Sequence, residues 1–151
     1  MLLSICIPTY NRPKHLLNCL NSLTLQSYKN FEVCISDNAS ASNIKKLIKP
    51  FKKKLNIKFN RNKKNLGFAL NLLKVSSMAN GKFIWFLGDD DLLVKDSLKY
   101  LIKKMKKNSD VDFFWVNSFY LDVKNIQNFS QPFDTKNLPK NMEPHSKIKR
   151  D

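Results

Sequence analysis

Three carboxylates stand side by side at Asp89, Asp90 and Asp91, after the apolar run Phe83, Ile84, Trp85, Phe86, Leu87 and a glycine, Gly88. Adjacent like charges repel, so folding alone does not favour such a cluster. A divalent cation with oxygen ligands removes the repulsion. The apolar run reads as a strand that delivers the acids to its C-terminal end. In an open α/β sheet, ligands sit just beyond those ends. The cluster therefore reads as a site for a metal and a phosphate. The plainer alternative is an acidic turn that caps the next helix, for which one Asp would serve.

Two further groups follow apolar runs in the same way. Pro8-Thr9-Tyr10-Asn11-Arg12 ends the first run, and Asp37-Asn38 ends the second. A carboxylate in that place can accept from a base N–H or a ribose hydroxyl. A loop with exposed amides and Arg12 can approach a base or a phosphate. The acids can hold a metal that bridges a diphosphate. Together the three describe a nucleotide-diphosphate site. Neither G-x-G-x-x-G nor G-x-x-x-x-G-K-[ST] is present, which argues against dinucleotide and P-loop sites. Each residue taken alone has a plainer role: Pro8 and Pro13 as turn and helix-start residues, Tyr10 as a packed aromatic, Asp37 as a cap, Arg12 as a solvated charge.

The elements that must position these groups alternate. Residues 2–7 read as a first strand. Pro13 starts a helix with Leu16, Leu17, Leu20 and Leu23 on one face. Residues 31–36 read as a second strand, with Phe31, Val33 and Ile35 alternating. Residues 42–54 read as a basic helix with Ile44, Leu47, Ile48 and Phe51 inward. Ile57 and Phe59 mark a third strand. Asn65-Leu66-Gly67 leads into a helix carrying Leu70, Leu73 and Ser77, ended by a C-cap glycine at Asn80-Gly81. The fourth strand runs to the aspartates. A helix with Leu98, Leu101, Ile102 and Met105 follows, then an aromatic fifth strand over residues 112–120. This pattern predicts an α/β fold, a Rossmann-like doubly wound and mostly parallel sheet with strands buried on both faces. The predicted core spans residues 1–123, and residues 124–151 read as an irregular basic tail.

The chain has 151 residues and a net charge of +15. That charge admits nucleic acid, an anionic membrane or a phosphorylated substrate. Nucleic acid is disfavoured, because the aromatics lie in buried-looking strands and the acidic cluster would be unexplained. Lys45, Lys46, Lys49, Lys52, Lys53 and Lys54, with Lys63 and Lys64 close behind, form one basic cluster; Lys103, Lys104, Lys106 and Lys107 form another. Such patches suit peripheral attachment to the anionic inner face of a membrane. The alternative is a solvated lysine face. Cys6, Cys19 and Cys34 lack metal-ligand spacing and read as buried, reduced thiols of a cytoplasmic protein. His15 and His145 are isolated. The N-terminus has no basic n-region and reads as a strand rather than a signal peptide. No run approaches the roughly 20 apolar residues that span a bilayer.

Two blocks in this order, ICIPTYNRPKHLLNCLNSLTLQSYKNFEVCISDNAS and NLGFALNLLKVSSMANGKFIWFLGDDDLL, resemble the inverting nucleotide-sugar glycosyltransferases of family 2 type, which have the GT-A fold. The resemblance implies a nucleotide-sugar donor, commonly a UDP-sugar, with Mn²⁺ or Mg²⁺, and a surface glycan or lipid-linked acceptor. It implies that Pro8, Thr9 and Tyr10 line the base pocket, that Asp37 accepts from the base, and that Asn65 and Gly67 lie near the nucleoside. It places Asp91 and Asp89 at the metal and Asp90 at the ribose or the metal. Gly88 stands where many relatives carry the first acid, so which two of the three carboxylates act is left open. An inverting transfer also needs a base for the acceptor hydroxyl. Asp122, Asp134, Glu143 and Asp151 form no recognisable pair for that role, and the catalytic base is unassigned. The chain thus reads as the donor-binding part of a transferase, with a partner chain as one source of the acceptor half. The alternative is a catalytically inactive nucleotide-sugar-binding fragment.

Overall fold

The computed structural model describes residues 1–116 and the backbone of two short strands at 120–121 and 129–130. The chain forms two compact units, Met1–Lys103 and Lys104–Asp151. The first holds a sheet of β1 (Leu3–Thr9), β2 (Phe31–Asp37), β3 (Asn56–Arg61) and β4 (Phe83–Phe86). The order is β3-β2-β1-β4, and every pairing is parallel. The helices are α1 (Pro13–Thr24), α2 (Ile44–Ile48), α3 (Phe68–Ser76) and α4 (Ser97–Lys107). Strand order reverses beside β1, and such a switch point opens a crevice at the carboxyl ends of the strands.

Local chemistry explains most elements. β1 and β2 are central and almost wholly buried, as expected of parallel strands covered on both faces. Pro13 opens α1, where its missing N–H costs nothing. The buried face of α1 is Leu16, Cys19, Leu20 and Leu23, so Cys19 takes the inward place expected for Leu17, which is half-buried. All three cysteines are buried and unbridged. The helix expected over residues 42–54 is split. Asn43 caps α2 by accepting from the Lys46 amide, and a 3₁₀ turn, Lys49–Lys53, follows where Pro50 lacks an amide to donate. Ile44 and Ile48 are buried there, while Leu47 and Phe51 are half-buried.

Three expectations are corrected. First, α3 does not turn Leu70 and Leu73 inward; they are 56% and 66% exposed, and Asn71 and Val75 face the sheet instead. Asn71 sets the phase, because its amide donates to the Ser36 carbonyl and accepts from the Ser36 hydroxyl and Asn62. Burial of a paired amide outweighs leucines that find no cover. Second, Gly81 is not the helix C-cap. The helix ends at Ser76 with Ser77 as cap. Gly81 is required by close approach: a Cβ there would lie 2.6 Å from the Ser4 amide nitrogen. Third, β4 is an edge strand rather than one buried on both faces, and Ile84 and Phe86 are 43% and 48% exposed. They share the sheet face of their partners Ser4 and Cys6. On that face α3 packs over β1 and β2.

One buried ion pair lies under α3. Lys58 Nζ sits 2.8 Å from Glu32 Oε2, and Glu32 Oε1 accepts from Ser4 Oγ (2.7 Å) and the Asn80 amide (2.6 Å). Burial pushes Glu32 up, but the bonds from Lys58, Ser4 and Asn80 and the lysine charge outweigh it, so its carboxyl sits below the ordinary value.

The second unit holds an antiparallel pair, β5 (Tyr120–Leu121) and β6 (Phe129–Ser130). Residues 112–116 of the expected fifth strand are not a strand, and residues 117–119 lie outside the described residues.

Candidate functional site

Thr9, Asp37 and Arg61 are register partners across β1, β2 and β3, so these strand ends are level. The chain leaving β4 continues alongside β1 through a bond from the Leu87 amide to the Cys6 carbonyl (3.0 Å). Thr9 Oγ1 then donates to Asp89 Oδ2 at 2.7 Å and joins the two ends.

The three aspartates differ in their surroundings. Asp89 turns inward and is 6% exposed. Burial raises its pKa above the ordinary carboxylate value, and the Asp90 charge adds to this against the lowering effects of Thr9 and Arg12. Asp90 points outward, where Arg12 Nη1 sits 2.8 Å from its Oδ2 and 3.6 Å from Asp89 Oδ1. Asp91 folds back, and its Oδ2 accepts from the Gly88 amide at 3.1 Å. Cys19 lies behind this turn, with its thiol 3.7 Å from the Gly88 carbonyl. Burial and the three aspartate charges push that thiol up to about 12, which keeps it neutral and unfit as a ligand or nucleophile.

Gly88 is bordered by two of these carboxylates. A Cβ there would lie 2.8 Å from Asp91 Oδ2 and 2.9 Å from Asp90 Oδ1. Two oxygens of different carboxylates thus converge on the notch that a side chain would fill. Among the described residues no three His, Cys, Asp or Glu side chains gather in a ligating cluster. The donor set fits a hard cation held by one or two carboxylates, with phosphates and waters completing the shell, as Mg²⁺ favours.

The nucleoside-side candidates form a second group. Asp37 is fully buried. Its Oδ2 accepts from Arg61 Nη1 (2.6 Å) and its Oδ1 from the Ser40 amide (2.9 Å). Asp37 is therefore held by protein donors rather than free as a lone acceptor. Arg61, which also donates to the Ser40 carbonyl at 2.7 Å, was absent from the sequence-predicted set. The signal lay in Asn60-Arg61-Asn62, polar residues that end a third parallel strand on the same sheet edge. Asn65 closes a local turn, accepting from the Gly67 amide (2.8 Å) and from Asn38 (2.7 Å). Gly67 adopts φ +80°, which favours glycine.

Asn38 links these pieces. Its Nδ2 bonds Asn65 and the Gly67 carbonyl, and its Oδ1 accepts from Leu66 and Asn62. Asn62 continues to Asn71, and Asn60 donates to Asn62 and Ser36. No buried side-chain polar atom among the described residues lacks a partner. Asn11 ties the loops together, its amide donating to Ser40 Oγ and its Oδ1 accepting from Ala41. Tyr10 is exposed and Pro8 half-buried. The structure thus gathers Thr9, Arg12, Asp89, Asp90 and Asp91 at one end. Asp37, Asn65 and Gly67 stand at the other, and the Asn38 amide bonded to the Thr9 carbonyl (2.9 Å) joins the two groups.

Comparison with known proteins identifies the family and the fold. A family model described as glycosyl transferase family 2 matches residues 4–149. Abequosyltransferase RfbV of Salmonella typhimurium is 43% identical over 115 residues, which is 74% of this chain and 34% of that protein. The crystal structure of Staphylococcus aureus TarS in complex with UDP-GlcNAc superposes with a TM-score of 0.69 at 28% identity, over 72% of this chain and 32% of that one. A mannosyltransferase of Pyrobaculum calidifontis, solved with GDP-Man and Mn²⁺, shares the fold with a TM-score of 0.64 at 19% identity, covering 72% of this chain and 33% of that one. The chain spans about a third of the length of these relatives.

Proposed function

We propose, from the premise that this chain belongs to glycosyl transferase family 2, that it forms the donor-binding part of an inverting glycosyltransferase. The donor is a nucleotide-diphosphate sugar, and a UDP-sugar is the first candidate. The acceptor class is a surface glycan or a lipid-linked glycan. The observation that carries the proposal is the Thr9–Asp89 bond across the switch point, with Asp37 level with Thr9 on the neighbouring strand. It brings an acidic diphosphate end and a polar nucleoside end onto one sheet edge.

The residues divide the work. Pro8, Thr9 and Tyr10 border the base, and Tyr10 has the exposed ring needed to cover it. Asp37, fully buried, fixes Arg61, whose half-exposed guanidinium can offer N–H groups to the nucleoside. Asn65 and Gly67 shape the loop beside the nucleoside. One or two of Asp89, Asp90 and Asp91 would hold Mn²⁺ or Mg²⁺, with Asp91 as the direct ligand. A bound metal would neutralise charge on the departing diphosphate.

RfbV is named as a transferase, and the matched part is about a third of it and of TarS. A partner chain is one source of an acceptor half. The second reading is a nucleotide-sugar-binding fragment without turnover. No helix among the described residues is long and apolar enough to cross a membrane. The exposed lysines of α2 and the adjoining 3₁₀ turn suit peripheral contact with an anionic cytoplasmic leaflet if the acceptor is lipid-borne.

The test is a thermal-shift panel of nucleoside diphosphates and their sugars, with and without Mn²⁺. A ligand at 100 times its dissociation constant adds about 2.7 kcal/mol of stability. UDP or UDP-sugar with Mn²⁺ is expected to give the largest shift. No shift with any nucleoside diphosphate under saturating metal overturns the proposal. Turnover with a glycan acceptor removes the second reading.

A further inference from the structure

Arg12 does not reach outward for a ligand here. Its Nη1 sits 2.8 Å from Asp90 Oδ2 and 3.6 Å from Asp89 Oδ1, so one guanidinium serves two of the three acids. Arg12 leads directly into α1, and its carbonyl accepts from the Leu16 amide, which fixes its backbone while the side chain stays half-exposed. The cation stands at the charge cluster that a divalent ion would neutralise. A guanidinium and a metal cannot both take the same Asp90 carboxylate without strong repulsion.

We propose that Arg12 is a built-in counter-ion that occupies the acidic cluster until metal and donor arrive, and then turns to the donor's diphosphate. This rests on the donor-site reading above. In the free protein Arg12 neutralises Asp89 and Asp90 and keeps the Thr9–Asp89 contact assembled. Metal entry frees its planar fork, which matches phosphate oxygens. The exchange makes metal binding and diphosphate binding mutually dependent, because an ion entering alone must expel Arg12 with nowhere better to send it.

Opposite effects from one substitution test the idea. Mn²⁺ binding to the full chain is followed by loss of the free-ion electron paramagnetic resonance signal, and UDP binding with Mn²⁺ by calorimetry. For Arg12→Gln, Mn²⁺ alone is expected to bind about fivefold tighter, the size of one screened, half-exposed charge. UDP in the presence of Mn²⁺ is expected to bind at least about fivefold weaker. Arg12→Lys keeps the charge and loses the fork, so it should restore wild-type Mn²⁺ affinity without restoring UDP affinity. Circular dichroism melts confirm that both variants are folded. Equal or weaker Mn²⁺ binding by folded Arg12→Gln overturns the counter-ion role. Tighter Mn²⁺ binding with unchanged UDP affinity overturns the turn toward the diphosphate. Absence of Mn²⁺ binding in every variant, with and without UDP, overturns the metal reading and this inference with it, whereas metal-free UDP binding in that case would leave the nucleoside site standing.

Discussion

Replacing Asp89 by Asn should stabilise the free protein while destroying its metal-dependent ligand binding. The two side chains are nearly isosteric, and Asn keeps an oxygen to accept from Thr9 Oγ1, now at 2.7 Å. The change removes a buried carboxylate charge and its repulsion by Asp90. It forfeits an ion pair with half-exposed Arg12, worth about 0–1 kcal/mol after solvent screening, and part of the strength of a charge-assisted bond, about 1 kcal/mol. The raised pKa of Asp89 means that burial and repulsion together exceed those gains. The net benefit of the substitution is therefore small and positive, up to about 1 kcal/mol, or a few degrees in Tm. Its pH dependence follows from the direction of the shift. An acid with a folded pKa above its unfolded value favours the fold below the unfolded pKa, and that contribution is lost as pH rises through the folded value. The advantage of Asp89→Asn should be full at neutral pH and vanish in the acid range below about pH 4, the ordinary Asp value. Urea denaturation of the metal-free proteins at pH 7.5 and pH 3.5 measures both. A variant less stable than wild type by more than about 1 kcal/mol at pH 7.5 would mean that the carboxylate is a structural hub and not a stored charge.

Glu32→Gln should show the reverse pH pattern. The folded pKa of Glu32 is lowered, so its contribution is present above the unfolded value and lost as pH falls through the folded one. The variant is expected to lose about 2 kcal/mol at pH 7, discounted because Lys58 is partly exposed, with the difference closing in acid melts. Gly81→Ala should cost about 1–3 kcal/mol in urea denaturation, because the new methyl meets the Ser4 backbone. Leu73→Ala should change stability by under about 0.5 kcal/mol in the same assay, whereas an inward leucine would cost about 2–5 kcal/mol. Asp91→Asn should leave the metal-free melting temperature unchanged and abolish the Mn²⁺-dependent part of the UDP shift, since an amide oxygen can still accept from Gly88.

The sheet was legible because β1 and β2 are mostly apolar, with Ser4 and Glu32 among the buried polar exceptions, and each ends in a polar turn. Burial on both faces leaves a mark that needs no partner information. The run at β4 carries the same mark, yet half of it is exposed. Composition reports what a strand can bury; its position in the sheet decides what is buried. Helix α3 was misread for a related reason. Periodicity counts leucines as inward, but Asn71 makes three hydrogen bonds beneath it, to Ser36 and Asn62, while Leu70 and Leu73 stay exposed. Polar burial depends on contacts distant in sequence, here with Ser36 and Asn62, and no local pattern records them. The acid cluster was visible as a cluster. Its division of labour was not, because inward Asp89, outward Asp90 and folded-back Asp91 differ through Thr9, Arg12 and Gly88 rather than through their own identities. Arg61 escaped notice because its claim on Asp37 is made across the sheet.

The asparagine chain from Asn60 through Asn62 and Asn38 to Asn65 has a consequence of its own. Asn60 gives with its nitrogen, Asn65 takes with its oxygen, and Asn62 and Asn38, between them, each do both, so the orientation of one dictates that of the next. The chain has a single polarity, like magnets laid end to end, and a reversal cannot be confined to one residue. Conversion of Asn38 to Asp changes one atom, yet it would set oxygen against the Asn65 oxygen and the Gly67 carbonyl that Nδ2 now serves. The mismatch would spread to the turn that launches α3 on one side and to the strand-end loops on the other. Hydrolytic ageing of this one amide would therefore remove the shape of the nucleoside end as a unit, while the distant core of β1 and β2 stayed intact.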